Sequence, residues 1–159
     1  MLCLKLSEKM EKELPPQKFR EVVFQCLFSF DAGEGDEKGL VALLMKQLAL
    51  SSKYVKRGLE YAQKIWEERE ELDARIANRS QEYALERIHK VERTVLRMSL
   101  FALLHEKELS PKIVISEALR ITRKFSTKEG SQFVNVILDE EWKNSLGVPL
   151  SPQEEPQPQ

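Results

Sequence analysis

The stretch VERTVLRMSLFALL, residues 91 to 104, is apolar around nearly its whole circumference when it is wound as an α-helix. A helix without a continuous polar face is normally enclosed by other elements of the protein. The stretch therefore predicts a central, buried helix, which we expect to run from about Ala84 to His105.

Arg97 interrupts this apolar stretch. Burying a guanidinium without a partner costs free energy, so Arg97 should pair with a carboxylate or face a groove. Glu117 and Asp139 each lie at the edge of another apolar run, and we expect one of them to be the structural partner of Arg97.

Upstream of the central helix, apolar residues recur at three- and four-residue spacing and predict three helices. The first follows Pro15-Pro16 and the third follows the N-cap candidates Ser51 and Ser52. Their expected extents are Gln17 to about Phe30, about Leu40 to Leu48, and a long helix whose apolar stripe runs from Val55 to Ile76.

Downstream, Ser110-Pro111 pairs an N-cap residue with a proline at the first helical position, which predicts a helix that ends near Phe125. After a short break at residues 126–130, the stretch SQFVNVILDE, residues 131–140, has helical spacing again. The fold class is therefore all-α, with about six to seven helices and no convincing strand.

The termini differ from the middle of the chain. Residues 1–16 are expected to form an arm or a short helix, and residues 17–145 the helical domain. Residues 146–159 are rich in Pro and Gln and are expected to be disordered, because such a composition buries too little surface to fold.

Composition excludes several classes of function. The net charge of −1 gives no overall bias toward nucleic acid. The two histidines, His89 and His105, are too far apart on one helix to share a metal, and no phosphate-binding loop or nucleophile motif is present. We therefore expect no cofactor, no metal and no catalysis.

The expected compartment is the cytoplasm. The two cysteines lie in apolar settings, and no secretory signal precedes them. The longest apolar run, residues 95–104, is about half the length that a membrane span requires. No membrane segment is expected.

Two basic clusters remain as candidate sites. One comprises Lys18 and Arg20 at the head of the first helix, and the other comprises Arg120, Arg123, Lys124 and Lys128. Basic residues in a last helical turn are favoured by the helix dipole, so the second cluster is either a solvated helix end or a phosphate-contacting patch.

Three segments resemble the NusB family of transcription antitermination factors. The stretch at 91–104 resembles the family's Val-Glu-x-x-x-Leu-Arg helix, and KIVISEALRITRKFS at 112–126 is similar to its Lys-Val-Ala-Ile-Asn-Glu-Ala helix. FVNVILD at 133–139 matches the family's Phe-Val-Asn-Gly-Val-Leu-Asp almost residue for residue. Order and spacing agree over about residues 17–140.

The resemblance implies a compact bundle in two small helical subdomains and a non-catalytic function. NusB proteins bind the boxA element of nascent ribosomal RNA together with NusE, a small-subunit ribosomal protein, and act with other Nus factors and RNA polymerase. Some members self-associate, which leaves a homodimer open here. NusB-like domains also occur in certain ribosomal RNA methyltransferases, but those carry a further catalytic domain.

Carried over to this chain, the resemblance assigns residues to two kinds of contact. The RNA-binding residues would be Lys18, Arg20, Gln132 and Phe133, and the NusE-facing residues would be Phe28, Glu92 and Glu129. The spacing of Phe133 fits a core position equally well. For Asn135 we expect a buried amide that satisfies neighbouring backbone groups, with direct RNA contact as the alternative.

The chain departs from the family at the head of the first helix. Only Lys18 and Arg20 stand where the family often has consecutive arginines, which predicts fewer phosphate contacts. A protein-interaction module that has lost RNA binding is therefore the alternative function. Val136 replaces the glycine after the family's Asn, which indicates an ordinary helical position.

Overall fold

The computed structural model describes residues 16–33, 36–80 and 84–144. Within these ranges the chain forms helices and no strand, which confirms the all-α prediction. No described helix is long and apolar enough to cross a membrane. The helices are α1 (Pro16–Ala32), α2 (Glu37–Leu48), α3 (Ser52–Glu67), α4 (Arg69–Arg79), a short 3-10 helix (Leu85–Arg87), α5 (Lys90–His105), α6 (Pro111–Phe125) and α7 (Lys128–Asn144).

The expectations for the N-terminal arm and the Pro/Gln-rich tail lie outside the described residues, apart from Pro16, which begins α1. Helix contacts divide the chain into two units, the first ending at Glu67 and the second beginning at Glu68. Two small helical units agree with the expected subdomains.

In the first unit, α1 packs closely against α3, and α2 lies against α3. The close approach depends on Gly58, because a Cβ at this position would overlap Cγ1 of the fully buried Val22. Near the start of α1, Phe19 meets Tyr61 edge-on, with ring centroids 5.8 Å apart. These contacts fix the helix that carries Lys18 and Arg20.

The thiol of Cys26 lies in the core of this unit. Cys26 is fully buried, and desolvation raises the pKa of its thiol to about 12. The neutral thiol is therefore the form present in the folded protein at physiological pH, and it is a poor nucleophile.

We expect Cys26 to resist labelling by a thiol reagent at pH 8 while the protein is folded. In a Cys3→Ser variant, which leaves Cys26 as the single cysteine, one thiol should react only as denaturant unfolds the chain. Rapid labelling without denaturant, followed by absorbance, would contradict the burial of Cys26.

The second unit is built around α5, which packs against α4, α6 and α7 and carries Leu96 and Leu100 in the core. The prediction of a central, buried helix is confirmed. Its predicted start at Ala84 is wrong, because Ile88 and His89 are extended and separate α5 from the 3-10 helix.

The predicted long helix from Val55 to Ile76 is also wrong, because Glu68 interrupts it. Glu68 has φ −95° and ψ 9°, the sparsely populated bridge region, and its carboxylate lies 2.9 Å from Nε2 of His105. Residues before the break belong to the first unit and residues after it to the second. The continuous apolar stripe therefore serves two separate cores.

Arg97 is buried and paired, but its partner is Asp73 on α4. The guanidinium donates from Nε and Nη2 to the two carboxylate oxygens, each at 2.7 Å. The sequence suggested Glu117 or Asp139 as the partner, and each of these pairs with a basic residue on its own helix. The ion pair ties α5 to α4.

A second ion-pair cluster ties α4 to the end of α7. The carboxylate of Glu141 accepts from Arg75 at 2.7 Å and from Arg79 at 2.9 Å. The Glu141 side chain is 3% exposed, whereas the two arginines are partly exposed. One buried carboxylate therefore holds two cations one helical turn apart.

Candidate nucleic-acid interface

Helix α7 carries the FVNVILD motif and has one buried and one exposed side. Its buried residues are Gly130, Ser131, Val134, Ile137, Leu138 and Glu141. Asn135 falls outside this group and is exposed, so the prediction of a buried, core-satisfying amide is wrong. The reason is helical geometry: Val134 and Leu138, four residues apart, face the core, and Asn135 is turned away from them.

The exposed side of α7 forms what we call the outer face, which consists of Lys128, Glu129, Gln132, Phe133 and Val136. These residues lie at three- and four-residue spacing and so neighbour one another on the helix surface. Phe133 is only partly exposed, and Val136 is 53% exposed. A cation, an amide and a partly exposed ring thus occur together at the start of one helix.

Val136 belongs to the outer face but was not predicted as a site residue. The available signal was its position four residues after Gln132, which places the two side chains on the same side of a helix. Its expected status as an ordinary helical position is confirmed, because α7 continues through it.

The turn that precedes α7 is short and capped. Thr127 accepts a hydrogen bond at its Oγ1 from the Gly130 amide at 3.0 Å, which satisfies one of the free amides of the first helical turn. Exposed Arg123 and Lys124 end α6, immediately before this turn. Arg120 forms an ion pair with a carboxylate on its own helix, so its charge is partly compensated.

The other candidate RNA-binding residues lie in the first unit. Lys18 is exposed and Arg20 partly exposed at the start of α1. Phe28, a candidate for contact with a partner, is half-buried, and its ring is tilted against Phe24 with centroids 5.9 Å apart.

Glu92 was expected to lie on the surface that faces NusE, but it is buried. It is 3% exposed, and its Oε1 accepts a hydrogen bond from Oγ of Ser126 at 2.6 Å. A carboxylate this deeply buried offers no surface to a partner. Gly130, which packs against it, was also missed, because the sequence placed residue 130 in a break, whereas it lies in the first turn of α7.

Within the described ranges, no group of three or more His, Cys, Asp or Glu side chains is arranged to hold a metal ion. His105 instead lies 2.9 Å from the Glu68 carboxylate, and its ring is tilted by 45° against that of Phe101, with ring centroids 4.5 Å apart.

Fold and site together define an all-helical protein of two units whose candidate site includes an exposed helix face. Residues 17–141 match the NusB family. The chain belongs to that family.

The chain is similar to curated and solved members of the family. The transcription antitermination protein NusB of Chlamydia pneumoniae is 36% identical over 136 residues, which cover 86% of this chain and 85% of the relative. The solved NusB of T. maritima has a TM-score of 0.69 and 28% identity, and the match covers 82% of this chain and 92% of that chain.

A structure of the antitermination factors NusB and NusE in complex with double-stranded RNA also has a similar fold. Its TM-score is 0.68 with 20% identity, and the match covers 80% of this chain and 95% of that chain. At this identity the likeness concerns the fold.

Proposed function

We propose that this chain is a non-catalytic transcription antitermination factor that binds boxA-type single-stranded RNA together with NusE in the cytoplasm. We assign this function to the domain of residues 17–145. The proposal includes action with other Nus factors and RNA polymerase, and no catalytic step.

The outer face of α7 is the observation that carries this proposal. Single-stranded RNA is held by cations that contact phosphates and by rings on which bases stack. Lys128 supplies the first, partly exposed Phe133 supplies the second, and Gln132 offers an amide for a base edge. Lys18 and Arg20 add phosphate contacts from α1.

The NusE contact is proposed for Phe28 and Glu129. Phe28 is half-buried and retains ring surface, and Glu129 is exposed in the first turn of α7. Among proteins with this fold, one was solved with NusE and RNA, which supports the choice of partner.

The test is a fluorescence anisotropy titration of labelled boxA RNA and a scrambled RNA, each with and without purified NusE. Preferential binding of boxA RNA in the presence of NusE is expected. Equal binding of both RNAs under both conditions would reject the proposal. Oligomeric mass is measured in parallel, because a homodimer could cover the RNA-binding face.

A double variant, Lys18→Ala with Arg20→Ala, should weaken boxA binding and reduce its dependence on salt. The plot of log K against log salt has a negative slope, and each lost phosphate contact on a single strand reduces its steepness by about 0.7. Loss of both contacts should therefore reduce the steepness by about 1.4. The slope is measured by anisotropy at four or more salt concentrations.

The matched control for this variant is Lys46→Ala with Lys64→Ala, which removes the same charge from exposed positions on α2 and α3. This control should keep the slope of the parent protein. Equal slopes for the two double variants would show that the α1 residues do not touch phosphate.

A second candidate function, an interaction module without specific RNA binding, is favoured by the small number of basic residues at the start of α1. It predicts NusE binding that is unchanged in the α1 double variant, with boxA affinity no higher than that of scrambled RNA.

A further inference from the structure

Glu92 is a buried acidic residue that joins the central helix to the turn before α7. It lies in the first turn of α5, and its carboxylate reaches Ser126, which follows the end of α6. The hydrogen bond from Ser126 Oγ to Glu92 Oε1 spans 34 positions of the chain at 2.6 Å. A short hydrogen bond to a carboxylate is stronger than one between neutral groups.

Gly130 shows how closely the carboxylate approaches α7. A Cβ at this position would overlap Oε1 of Glu92, so any other residue must displace the acid. Gly130 lies in the first turn of α7, where the helix dipole is positive and favours a carboxylate. Glu92 therefore contacts both Ser126, which follows α6, and Gly130, which lies in the first turn of α7.

The second carboxylate oxygen of Glu92 also indicates that the position of the side chain is fixed. Oε2 of Glu92 is buried and has no hydrogen-bond partner among the described residues. Burying a carboxylate oxygen in this way is costly, so the remaining contacts must hold the group in place. A glutamate that served only to contact a partner at the surface would be exposed, whereas Glu92 is buried.

The outer face of α7 begins at this turn. Glu129 lies next to Gly130, and Gln132 and Phe133 follow within one helical turn. A shift of the first turn of α7 would therefore move these side chains directly, because they are fixed to the same rigid helix.

We propose that Glu92 is a positioning residue: it locks the Ser126–Gly130 turn and thereby sets the outer face of α7, without itself contacting RNA or a protein partner. Its effect on RNA binding rests on the proposed function. Its effect on the turn does not, so the two claims can be tested separately.

The first experiment measures amide hydrogen exchange in the full chain without RNA. Glu92→Ala and Ser126→Ala should each speed exchange of the amides of residues 130–133 by about ten-fold, the effect expected from losing a hydrogen bond to a charged group. Glu92→Gln keeps an acceptor oxygen for Ser126 and should retain most of the protection. Glu140→Ala, which removes an exposed acid from α7 itself, should leave exchange unchanged.

The second experiment is a double-mutant cycle on boxA affinity. If Glu92 acts through the turn, Glu92→Ala and Ser126→Ala should each weaken RNA binding, and the double variant should be no weaker than Glu92→Ala alone. Additive losses would overturn the proposal, as would a loss of RNA or NusE binding by Glu92→Ala with unchanged exchange, since both indicate direct contact.

Should Glu92→Ala fail to fold, Ser126→Ala and Glu92→Gln still decide the matter, because they differ in the one hydrogen bond at issue. Should the parent protein bind no boxA RNA, the proposed function fails. Exchange in the turn then decides the role of Glu92 alone: faster exchange supports it, and unchanged exchange overturns it.

Discussion

Asp73→Ala is expected to lower the free energy of unfolding by about 3–5 kcal/mol, the range typical when one partner of a buried ion pair is removed. Asp73 accepts two hydrogen bonds from the Arg97 guanidinium, whose side chain is 6% exposed. Its loss leaves a cation inside the second unit without its bidentate carboxylate. Urea denaturation followed by circular dichroism measures the change.

The control is Asp139→Ala, at the residue that the sequence alone suggested as a partner of Arg97. Asp139 pairs with Lys143 at 3.1 Å on an exposed helix surface, and such pairs contribute at most about 1 kcal/mol. A larger loss from Asp139→Ala than from Asp73→Ala would contradict the pairing in the structure. The combination of Arg97→Met with Asp73→Leu removes both charges and should recover most of the lost stability.

Gly58→Ala should destabilise the first unit by about 1–3 kcal/mol, although alanine is the better helix former. The added Cβ would overlap Cγ1 of Val22 and lie 3.1 Å from its Cβ. Val22 is fully buried, so its side chain cannot move away without displacing its neighbours. α1 and α3 must therefore move apart. The midpoint of urea denaturation reports the loss.

Gly39→Ala is the matched control, since it places the same methyl group on another helix of the first unit. There the nearest atom is Oδ2 of Asp36 at 3.0 Å, on an exposed side chain whose other oxygen, Oδ1, caps α2 by accepting a hydrogen bond from the Lys38 amide at 3.2 Å. Stability should stay within about 1 kcal/mol of the parent protein, because the gain in helix propensity offsets a small displacement of this carboxylate. A loss at Gly39 as large as the loss at Gly58 would show that the packing of α1 on α3 does not depend on Gly58.

The sequence predicted helices best where local signals agree. The start of α6 at Pro111 follows from the pairing of Ser110 with proline, and the buried character of α5 follows from residues 91–104 alone. The break at Glu68 has no such signal, because neither glycine nor proline marks it. It arises because the two ends of one apolar stripe pack into different units, which is a tertiary effect.

Side-chain partners were predicted less well than helices. Arg97 was correctly expected to be buried with a carboxylate, but Asp73 lies in a strongly charged segment where no periodicity distinguishes it. The burial of Glu92 and Asn135 is the reverse of what was expected, because the acid is buried and the amide is exposed. A family motif identifies which positions matter, whereas burial depends on how α7 is rotated against α5.

The Glu141 cluster also bears on where a shortened chain could end. Arg75 and Arg79 are one turn apart on α4, and their mutual repulsion is offset by a carboxylate that belongs to the last two turns of α7. The C-terminal boundary of the second unit is therefore set by charge as well as by apolar packing. A chain that stops before residue 141 would lose the counterion of two arginines that lie 62 and 66 positions away in sequence.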